Sequence, residues 1–509
     1  MLAKVTSGAL IGIDAYPVEV EVDIALGLPQ FSTVGLPEGA VKESKDRVKS
    51  AIKNSGYEFP NRRITINLAP ADIRKEGAAF DLPIAIGLLS AIGLVDAHAL
   101  KNFVLLGELS LDGRIKAVRG VLPIAVAART WPQKALILPE DNAAEGAVAK
   151  GPQIFAVRDL GQVVALINGE ISLAPFTQEV DLAPLSTGQG EDDFAEVRGQ
   201  EQVKRALEVA AAGSHNILMS GPPGSGKTML ARRLSTILPD FTFEEALETT
   251  KIHSVAGLLS NHDALVRRRP FRSPHHSISD AGLIGGGSYP RPGEVSLAHR
   301  GILFLDEFPE FKKNVLEMLR QPLEDGQVSI SRAALSLTYP ARFMLVAAMN
   351  PCPCGYLSDP QHDCVCTPVM VQRYRSRLSG PLLDRIDLHI EVPRVPHKDL
   401  TGTAPVENSA TIRQRVNLAR QVQHERLAAF GLHANSQMQA RHIRRFCKLD
   451  AQGDKLLEQV TDKLGLSARS FTRILKLART IADLAGSPQI QTLHLAEAIQ
   501  YRGLDRKLG

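Results

Sequence analysis

The sequence predicts an α/β protein with a parallel-sheet core, followed by a smaller all-α domain. Between residues 194 and 393, short apolar runs alternate with helix-like segments, which is typical of a parallel sheet covered by helices. Each of these runs is followed by polar residues, and ligands bind at the carboxyl ends of strands in such sheets. After residue 393 the apolar pattern is helical. A chain of 509 residues, at roughly 150 per domain, has room for a third domain.

The elements and boundaries are predicted as follows. An amino-terminal α/β domain spans 1–170, with alternating or apolar segments that indicate strands at 18–24 and 64–68 and a buried helix at 82–94. A stretch rich in Pro, Thr, Ser, Gly and Gln predicts a linker at 171–193. The core is expected at 194–393, with strands at 217–220, 302–305 and 343–349. The helical domain spans 394–509, with helices at 410–429, 456–464, 468–485 and 493–501.

Composition excludes several classes of protein. The chain is 44% hydrophobic and 22% charged, which is typical of a globular protein and excludes fibrous and disordered chains. No apolar stretch approaches the 20 or so residues of a membrane-spanning helix, and no secretory signal is readable, so we expect a cytoplasmic protein with no membrane partner. The net charge is only +4, but basic residues exceed acidic ones after residue 393. The helical domain is therefore a basic module.

A glycine-rich segment predicts a nucleotide site at the end of the 217–220 strand. It matches the phosphate-binding pattern G-x-x-x-x-G-K-[ST], in which backbone amides surround phosphate oxygens at a helix N-terminus. The lysine of this pattern reaches the β and γ phosphates, and the threonine hydroxyl ligates Mg²⁺. The residues are Gly221, Pro222, Pro223, Gly224, Ser225, Gly226, Lys227 and Thr228.

Four polar residues outside the loop are candidates for hydrolysis. Asp306 and Glu307 end the 302–305 strand, where they suit a Mg²⁺ ligand and a base that activates water. Asn350 ends the next strand, where it either contacts the γ-phosphate or caps a turn. Arg385 either completes a neighbouring subunit's site or pairs with Asp384 or Asp387.

Four of the five cysteines form two Cys-x-Cys pairs. They are Cys352, Cys354, Cys364 and Cys366, within an insertion at 352–366. In a reducing compartment, thiolates at this spacing favour a structural Zn²⁺ site over disulfides, with free or redox-active cysteines as the alternative. Cys447 lies apart from them, as a buried apolar residue.

Two basic segments are candidates for contact with nucleic acid. Lys45, Lys49 and Lys53 form a basic stripe on a predicted helix, and the arginines at 267–269 with Arg272 form a second cluster. Each is either a solvated face or a phosphate-binding surface. The run at 280–289 contains too much glycine for a rigid element, which predicts a flexible loop.

Together these residues resemble an AAA+ ATPase. The long segments 292–307 and 350–355 are similar, more narrowly, to the magnesium-chelatase-like bacterial family called YifB or ComM, and the resemblance covers essentially the whole chain. It implies a Lon-protease-like, S5-like amino-terminal domain, an AAA+ core with a P-loop and a helical lid. It makes Arg385 the arginine finger and Arg469 the sensor arginine of the lid, with Arg473 as its competitor.

The family implies an ATP-driven homohexamer that acts on single-stranded and branched DNA. It makes the run at 280–289 a mobile loop that lines the central pore and grips DNA, and the segment 328–339 a second, hairpin-like insertion. Its members promote branch migration during recombination and natural transformation, with recombination proteins as possible further partners. The amino-terminal domain departs from a working protease, because Ala79 and Leu122 stand where Lon proteases carry their serine and lysine. We therefore expect no peptidase activity. A protein-remodelling or magnesium-chelatase-type ATPase is the alternative function.

Overall fold

The structure is a computed structural model of the chain. It describes residues 1–37, 39–71, 73, 75, 77–178, 192–259, 264–287, 290–332, 335–357, 359–396, 406–464 and 467–502. Most of the predicted linker, residues 179–191, lies outside this set. The chain divides into two compact units, Met1–Leu182 with Phe243–Arg267, and Ala183–Thr242 with Arg268–Gly509.

The first unit contains a seven-stranded mixed sheet with the order β3-β4-β2-β1-β5-β8-β9. Strands β1, β2 and β4 pair antiparallel and the other pairs are parallel. Burial alternates along β2, as the alternation of apolar and acidic residues predicts. The strands are β1 (Leu2–Ile11), β2 (Asp14–Ala25), β3 (Gln30–Val34), β4 (Arg63–Ala69), β5 (Phe103–Leu105), β8 (Ala135–Pro139) and β9 (Gln153–Val157), and a separate ladder joins β6 (Glu108–Leu109) to β7 (Ile115–Lys116).

Helices cover this sheet. The helix Asp81–Ala91 is buried along its whole length, which confirms the buried helix predicted at 82–94. The helix Phe243–Ala256 belongs to the first unit, although its position in the chain lies within the predicted core; its Ser254 hydroxyl donates to the buried Glu145 carboxylate. The remaining helices of this unit are Gly39–Lys42, Ser44–Asn54, Ala97–Leu100, Val121–Ala127, Glu140–Ala147 and Leu160–Ile167.

The second unit contains the predicted parallel sheet. Its order is β11-β14-β17-β10-β18, and all of these strands run parallel. The three predicted strands are β10 (Ile217–Ser220), β14 (Ile302–Leu305) and β17 (Met344–Met349), each buried throughout. The sheet is completed by β11 (Phe271–Arg272) and β18 (Leu388–Glu391). Because parallel strands share one carboxyl edge, the polar residues that follow them meet there.

Helices and two small ladders complete the second unit. A hairpin of β15 (Gln327–Arg332) and β16 (Leu335–Pro340) forms where it was predicted. The predicted lid helices are also present, as Ser409–Leu427, Ala451–Leu464, Ala468–Leu484 and Thr492–Gln500. The other helices are Glu201–Gly213, Lys227–Leu234, Asp280–Ile284, Glu294–Leu297, Lys313–Met318, Arg320–Asp325, Pro368–Arg375, Gly380–Leu383 and Ala440–Phe446.

The glycine-rich run, predicted to be a flexible loop, contains short regular elements within its described part, residues 280–287. It forms the short helix Asp280–Ile284 and then β12 (Gly285–Gly286), which pairs with β13 (Arg291–Pro292). Gly285 has φ of +110°, and a Cβ atom there would lie 2.4 Å from the Arg291 carbonyl oxygen. Glycine is required at this position by a close backbone contact and a left-handed conformation.

No helix among the described residues combines the length and the apolar character that crossing a bilayer requires.

Candidate functional site

The phosphate-loop motif connects β10 to the helix Lys227–Leu234. Gly224 and Gly226 have φ of +76° and +90°, a conformation that other residues adopt only with strain. A Cβ atom at Gly221 would lie 2.2 Å from the Val392 carbonyl oxygen. The Ser225 hydroxyl is buried and has no hydrogen-bond partner among the described residues. The loop is thus wound tightly around a helix N-terminus, which suits an anion.

Lys227 lies across the mouth of this loop. Its Nζ donates to the carbonyl oxygens of Gly221 at 2.7 Å and Pro222 at 2.9 Å, and to Asn350 Oδ1 at 3.3 Å. Burial lowers the pKa of Lys227, and nearby Asp306 acts in the opposite direction. A phosphate group beside this ammonium supplies stronger acceptors than carbonyl oxygens do. The hydrogen bond from Lys227 to Asn350 brings two of the predicted site residues into direct contact.

Thr228 and Asp306 form a second contact at the same edge of the sheet. The Thr228 hydroxyl donates to Asp306 Oδ2 at 2.7 Å, and Asp306 Oδ1 accepts from the backbone N–H of Glu307 at 2.9 Å. A hydroxyl and a carboxylate are oxygen ligands of the kind that Mg²⁺ takes beside nucleotide phosphates. The donor set therefore fits Mg²⁺.

Glu307 has an unusual backbone and an unpredicted partner. Its φ is +50°, which is uncommon for a residue with a side chain and is often found at functional sites. The imidazole Nδ1 of His276 lies 3.1 Å from Glu307 Oε2. Sequence reasoning missed His276, although a signal was present: it follows β11, a parallel strand whose carboxyl end meets that of β14. His276 is thus placed to orient the Glu307 carboxylate.

Arg385 pairs with a carboxylate that the sequence analysis did not consider. It forms an ion pair with Glu324 and donates to the Pro381 carbonyl oxygen at 2.7 Å. The two partners considered there, Asp384 and Asp387, are engaged elsewhere. Arg385 and Glu324 line a surface cavity of about 540 Å³ together with the helix Arg320–Asp325. Glu324 is 60% exposed, so this ion pair lies at the surface.

The two candidate lid arginines differ in their surroundings. Arg473 forms an ion pair with buried Asp387, which also lies 3.2 Å from His215 Nδ1. Burial raises the pKa of Asp387, but Arg473 and His215 oppose this and hold it well below its usual range. Arg469 is 60% exposed, and its nearest carboxylate, that of Asp384, is 4.0 Å away. A sensor must reach a nucleotide, so the geometry favours Arg469.

The four cysteines of the 352–366 segment lie together. The Sγ atom of Cys352 is 3.4 Å from that of Cys354 and 3.7 Å from that of Cys364, and the last two are 3.6 Å apart. The Cys366 sulfur accepts from the backbone N–H of Cys354. All four sulfurs lie within 4.8 Å of one another. A Zn–S distance of about 2.3 Å puts the sulfurs of a tetrahedral site about 3.8 Å apart, so the cluster fits Zn²⁺.

Of the candidate nucleic-acid surfaces, the lysine stripe is the more exposed. Lys45, Lys49 and Lys53 lie exposed on the helix Ser44–Asn54. In the arginine cluster, Arg269 donates to the carbonyl oxygens of Pro239, Asp240 and Arg300. Arg272 pairs with Glu294. These two arginines therefore hold the second unit together instead of presenting free charge.

Comparison with known proteins identifies the family. The chain matches the family described as "Magnesium chelatase, subunit ChlI" over residues 193–400, "Subunit ChlI of Mg-chelatase" over 20–142 and "Magnesium chelatase, subunit ChlI C-terminal" over 406–502. The first of these is an AAA+ family, which implies ATPase activity with ATP and Mg²⁺.

Two relatives match this chain along its whole length. "Competence protein ComM" of Haemophilus influenzae is 46% identical over 100% of this chain and 98% of its own length. "Uncharacterized protein YifB" of Escherichia coli is 47% identical with the same coverage. The "Magnesium-chelatase 38 kDa subunit" of Cereibacter sphaeroides is 27% identical over 31% of this chain and 52% of its own length. The chain therefore belongs to the ComM/YifB family of magnesium-chelatase-like AAA+ proteins.

Proposed function

We propose that this protein is an ATP-dependent DNA motor that works as a homohexamer and promotes branch migration on branched DNA during recombination and natural transformation. The observation that carries the proposal is the 46% identity to a competence protein along the whole chain. The basic stripe and the hairpin described below support DNA as the partner. Recombination proteins are expected as further partners.

In this proposal the residues at the sheet edge divide the work of hydrolysis. Lys227 binds the β and γ phosphates, while Thr228 and Asp306 hold Mg²⁺, which neutralises charge on the phosphates when it is bound. Glu307 accepts a proton from the attacking water, and His276 orients its carboxylate. Asn350, already in contact with Lys227, holds the γ-phosphate or this water.

The neighbouring subunit completes the site. Arg385 would be the arginine finger that stabilises negative charge in the transition state, and Arg469 would be the lid sensor. Glu324 holds Arg385 by an ion pair within one subunit. Assembly then has to exchange this partner for a phosphate of the adjacent subunit's ATP, which is a stronger acceptor for a guanidinium.

The hairpin β15–β16 has the chemistry of an element that grips DNA. One of its faces is buried through Val328, Ile330, Leu337 and Tyr339. The other carries exposed hydroxyl pairs, Ser329 with Thr338 at 3.1 Å and Ser331 with Ser336 at 2.9 Å. Hydroxyl groups contact phosphates without reading base sequence, which suits a motor that moves along any sequence.

The four-cysteine cluster is proposed to bind one structural Zn²⁺. Its four thiolates leave no open coordination position, so the metal has no direct part in catalysis. The fifth cysteine, Cys447, is buried in the helical part of the second unit, away from these ligands.

DNA-stimulated ATP hydrolysis tests this function. We expect branched DNA to raise ATP turnover several-fold, because a motor couples hydrolysis to its track, and we expect the stimulation to fall as salt rises, because phosphate contacts release counterions. Phosphate release is measured with and without the DNA. Turnover that is indifferent to DNA would contradict the proposal and favour a protein-remodelling or chelatase-type ATPase.

A further inference from the structure

The four-cysteine cluster is directly connected to the nucleotide site. Strand β17 ends at Met349, Asn350 follows, and Cys352 is the second residue after it. Cys352 is fully buried, and the Gly355 backbone N–H donates to its carbonyl oxygen at 3.0 Å. Only one residue thus separates the amide that contacts Lys227 from the first metal ligand.

The cysteine-bearing loop also touches the phosphate loop through space. Gly355 has φ of +87°, and a Cβ atom there would lie 2.6 Å from Cδ of Pro223 and 2.8 Å from its Cγ. The Gly355 backbone meets the Pro223 ring at this point, with no room for a side chain on residue 355. On the opposite side, the backbone N–H of Gly221 donates to the Met349 carbonyl oxygen at 3.2 Å. The phosphate loop is therefore held by β17 on one side and, on the other, by Gly355, which lies between Cys354 and Tyr356.

A third element holds the same segment from the helix Pro368–Arg375. Arg375 donates to the Pro351 carbonyl oxygen, with Nη2 at 3.3 Å. The Asn350 backbone also makes a hydrogen bond to the buried Tyr374 side chain. The segment that leads from Asn350 to Cys352 is therefore fixed on one side by this helix and on the other by the sulfur cluster.

We propose that Zn²⁺ held by Cys352, Cys354, Cys364 and Cys366 positions Asn350 and the Pro223 wall of the phosphate loop, so that ATP turnover depends on the metal. This inference rests on the proposed ATPase function and on zinc binding. The metal acts through Asn350, which contacts Lys227 at 3.3 Å, and through Gly355 against Pro223. The cysteines are thus positioning residues, since their sulfurs lie in the cluster and the contacts to the loop are made by their neighbours.

The role of Asn350 sets the expected pattern of effects. Asn350 faces the γ-phosphate end of the site through Lys227, so displacing it affects hydrolysis more than ADP binding. A displacement of about 1 Å at a reacting centre costs about 10²-fold in rate. We therefore expect Cys364→Ser to abolish zinc binding and lower kcat about tenfold to a hundredfold, with ADP affinity changed less than about threefold. Cys447→Ser is the matched control and is expected to keep zinc and kcat.

A second variant separates the metal from the contact that it supports. Gly355→Ala keeps all four thiols but puts a methyl group against Pro223, so we expect full zinc content and a kcat lowered about tenfold. Gly431→Ala is its control, since Gly431 has a similar φ of +68° and open space around it. This control removes the effect of backbone strain alone.

The measurements are made on the full chain. Zinc per chain is measured by elemental analysis, kcat by phosphate release, ADP affinity with a fluorescent analogue, and folding by thermal unfolding. Zinc-free wild-type protein would overturn the metal site, whereas wild-type protein that hydrolyses no ATP would overturn the proposed function. Full kcat in zinc-free Cys364→Ser protein, or in Gly355→Ala, would overturn the coupling alone. If Cys364→Ser fails to fold, Gly355→Ala decides.

Discussion

Replacing Glu307 by glutamine is expected to lower ATP turnover about 10² to 10⁴-fold, the usual contribution of a general base. The amide has the size of the carboxylate but does not accept a proton from water at neutral pH. The left-handed backbone at residue 307 and the contact with His276 are both compatible with a glutamine side chain. ATP binding is therefore expected to stay near the wild-type affinity. Phosphate release gives the turnover, and a fluorescent ATP analogue gives the affinity.

Glu310→Gln is the control for this variant. Glu310 lies three residues further along the chain, is 43% exposed and pairs with Arg377, outside the phosphate site. Its substitution is expected to leave turnover almost unchanged, because exposed ion pairs contribute little. Full ATP turnover in Glu307→Gln would show that another group activates the water, and the assignment of the two acidic residues after β14 would be wrong.

Replacing Arg385 by alanine is expected to lower turnover about 10³ to 10⁵-fold, the range measured for arginines supplied in trans. Within its own subunit Arg385 contacts Glu324 and the Pro381 carbonyl oxygen, not the phosphate loop. ATP binding by the variant should therefore stay near the wild-type affinity. Arg320→Ala is the matched control, because Arg320 lines the same cavity but pairs with Glu317.

Mixing two inactive variants tests whether the arginine acts on a neighbour. Arg385→Ala subunits keep a complete phosphate loop, and Lys227→Ala subunits keep the arginine. Mixed rings therefore contain interfaces at which one subunit completes the other's site, and partial turnover should return on mixing. A mixture that stays inactive would contradict action in trans, as would a lone Arg385→Ala subunit with full turnover.

The nucleotide site was predictable because its residues follow sequence rules with a direct geometric meaning. Parallel strands end at the same edge of a sheet, and polar residues follow each of these strands. The sequence therefore predicts that Thr228 and Asp306 lie close together. In the structure the Thr228 hydroxyl oxygen lies 2.7 Å from Asp306 Oδ2. The four cysteines were predicted to cluster because thiolates in two Cys-x-Cys pairs suit one metal ion, and their sulfurs lie within 4.8 Å of one another.

The partners of long side chains were not predictable in this way. Glu324 and His276 come from segments 61 residues before Arg385 and 31 residues before Glu307, and no local pattern links them. The glycine-rich run at 280–289 was expected to be mobile, but close backbone approach at Gly285 also requires glycine, and composition does not separate the two causes. The packing of Phe243–Ala256 with the first unit depends on contacts such as that of Ser254 with Glu145, which only the folded chain reveals.

The central claim is that ATP hydrolysis at this site moves DNA strands past one another. Strand exchange on a synthetic branched DNA with one labelled strand tests it most directly. We expect the wild-type protein to release the labelled strand in the presence of ATP, and Lys227→Ala to release none because it cannot hold the phosphates. Wild-type protein that hydrolyses ATP but releases no strand would contradict this claim, as would Lys227→Ala protein that releases as much strand as wild type.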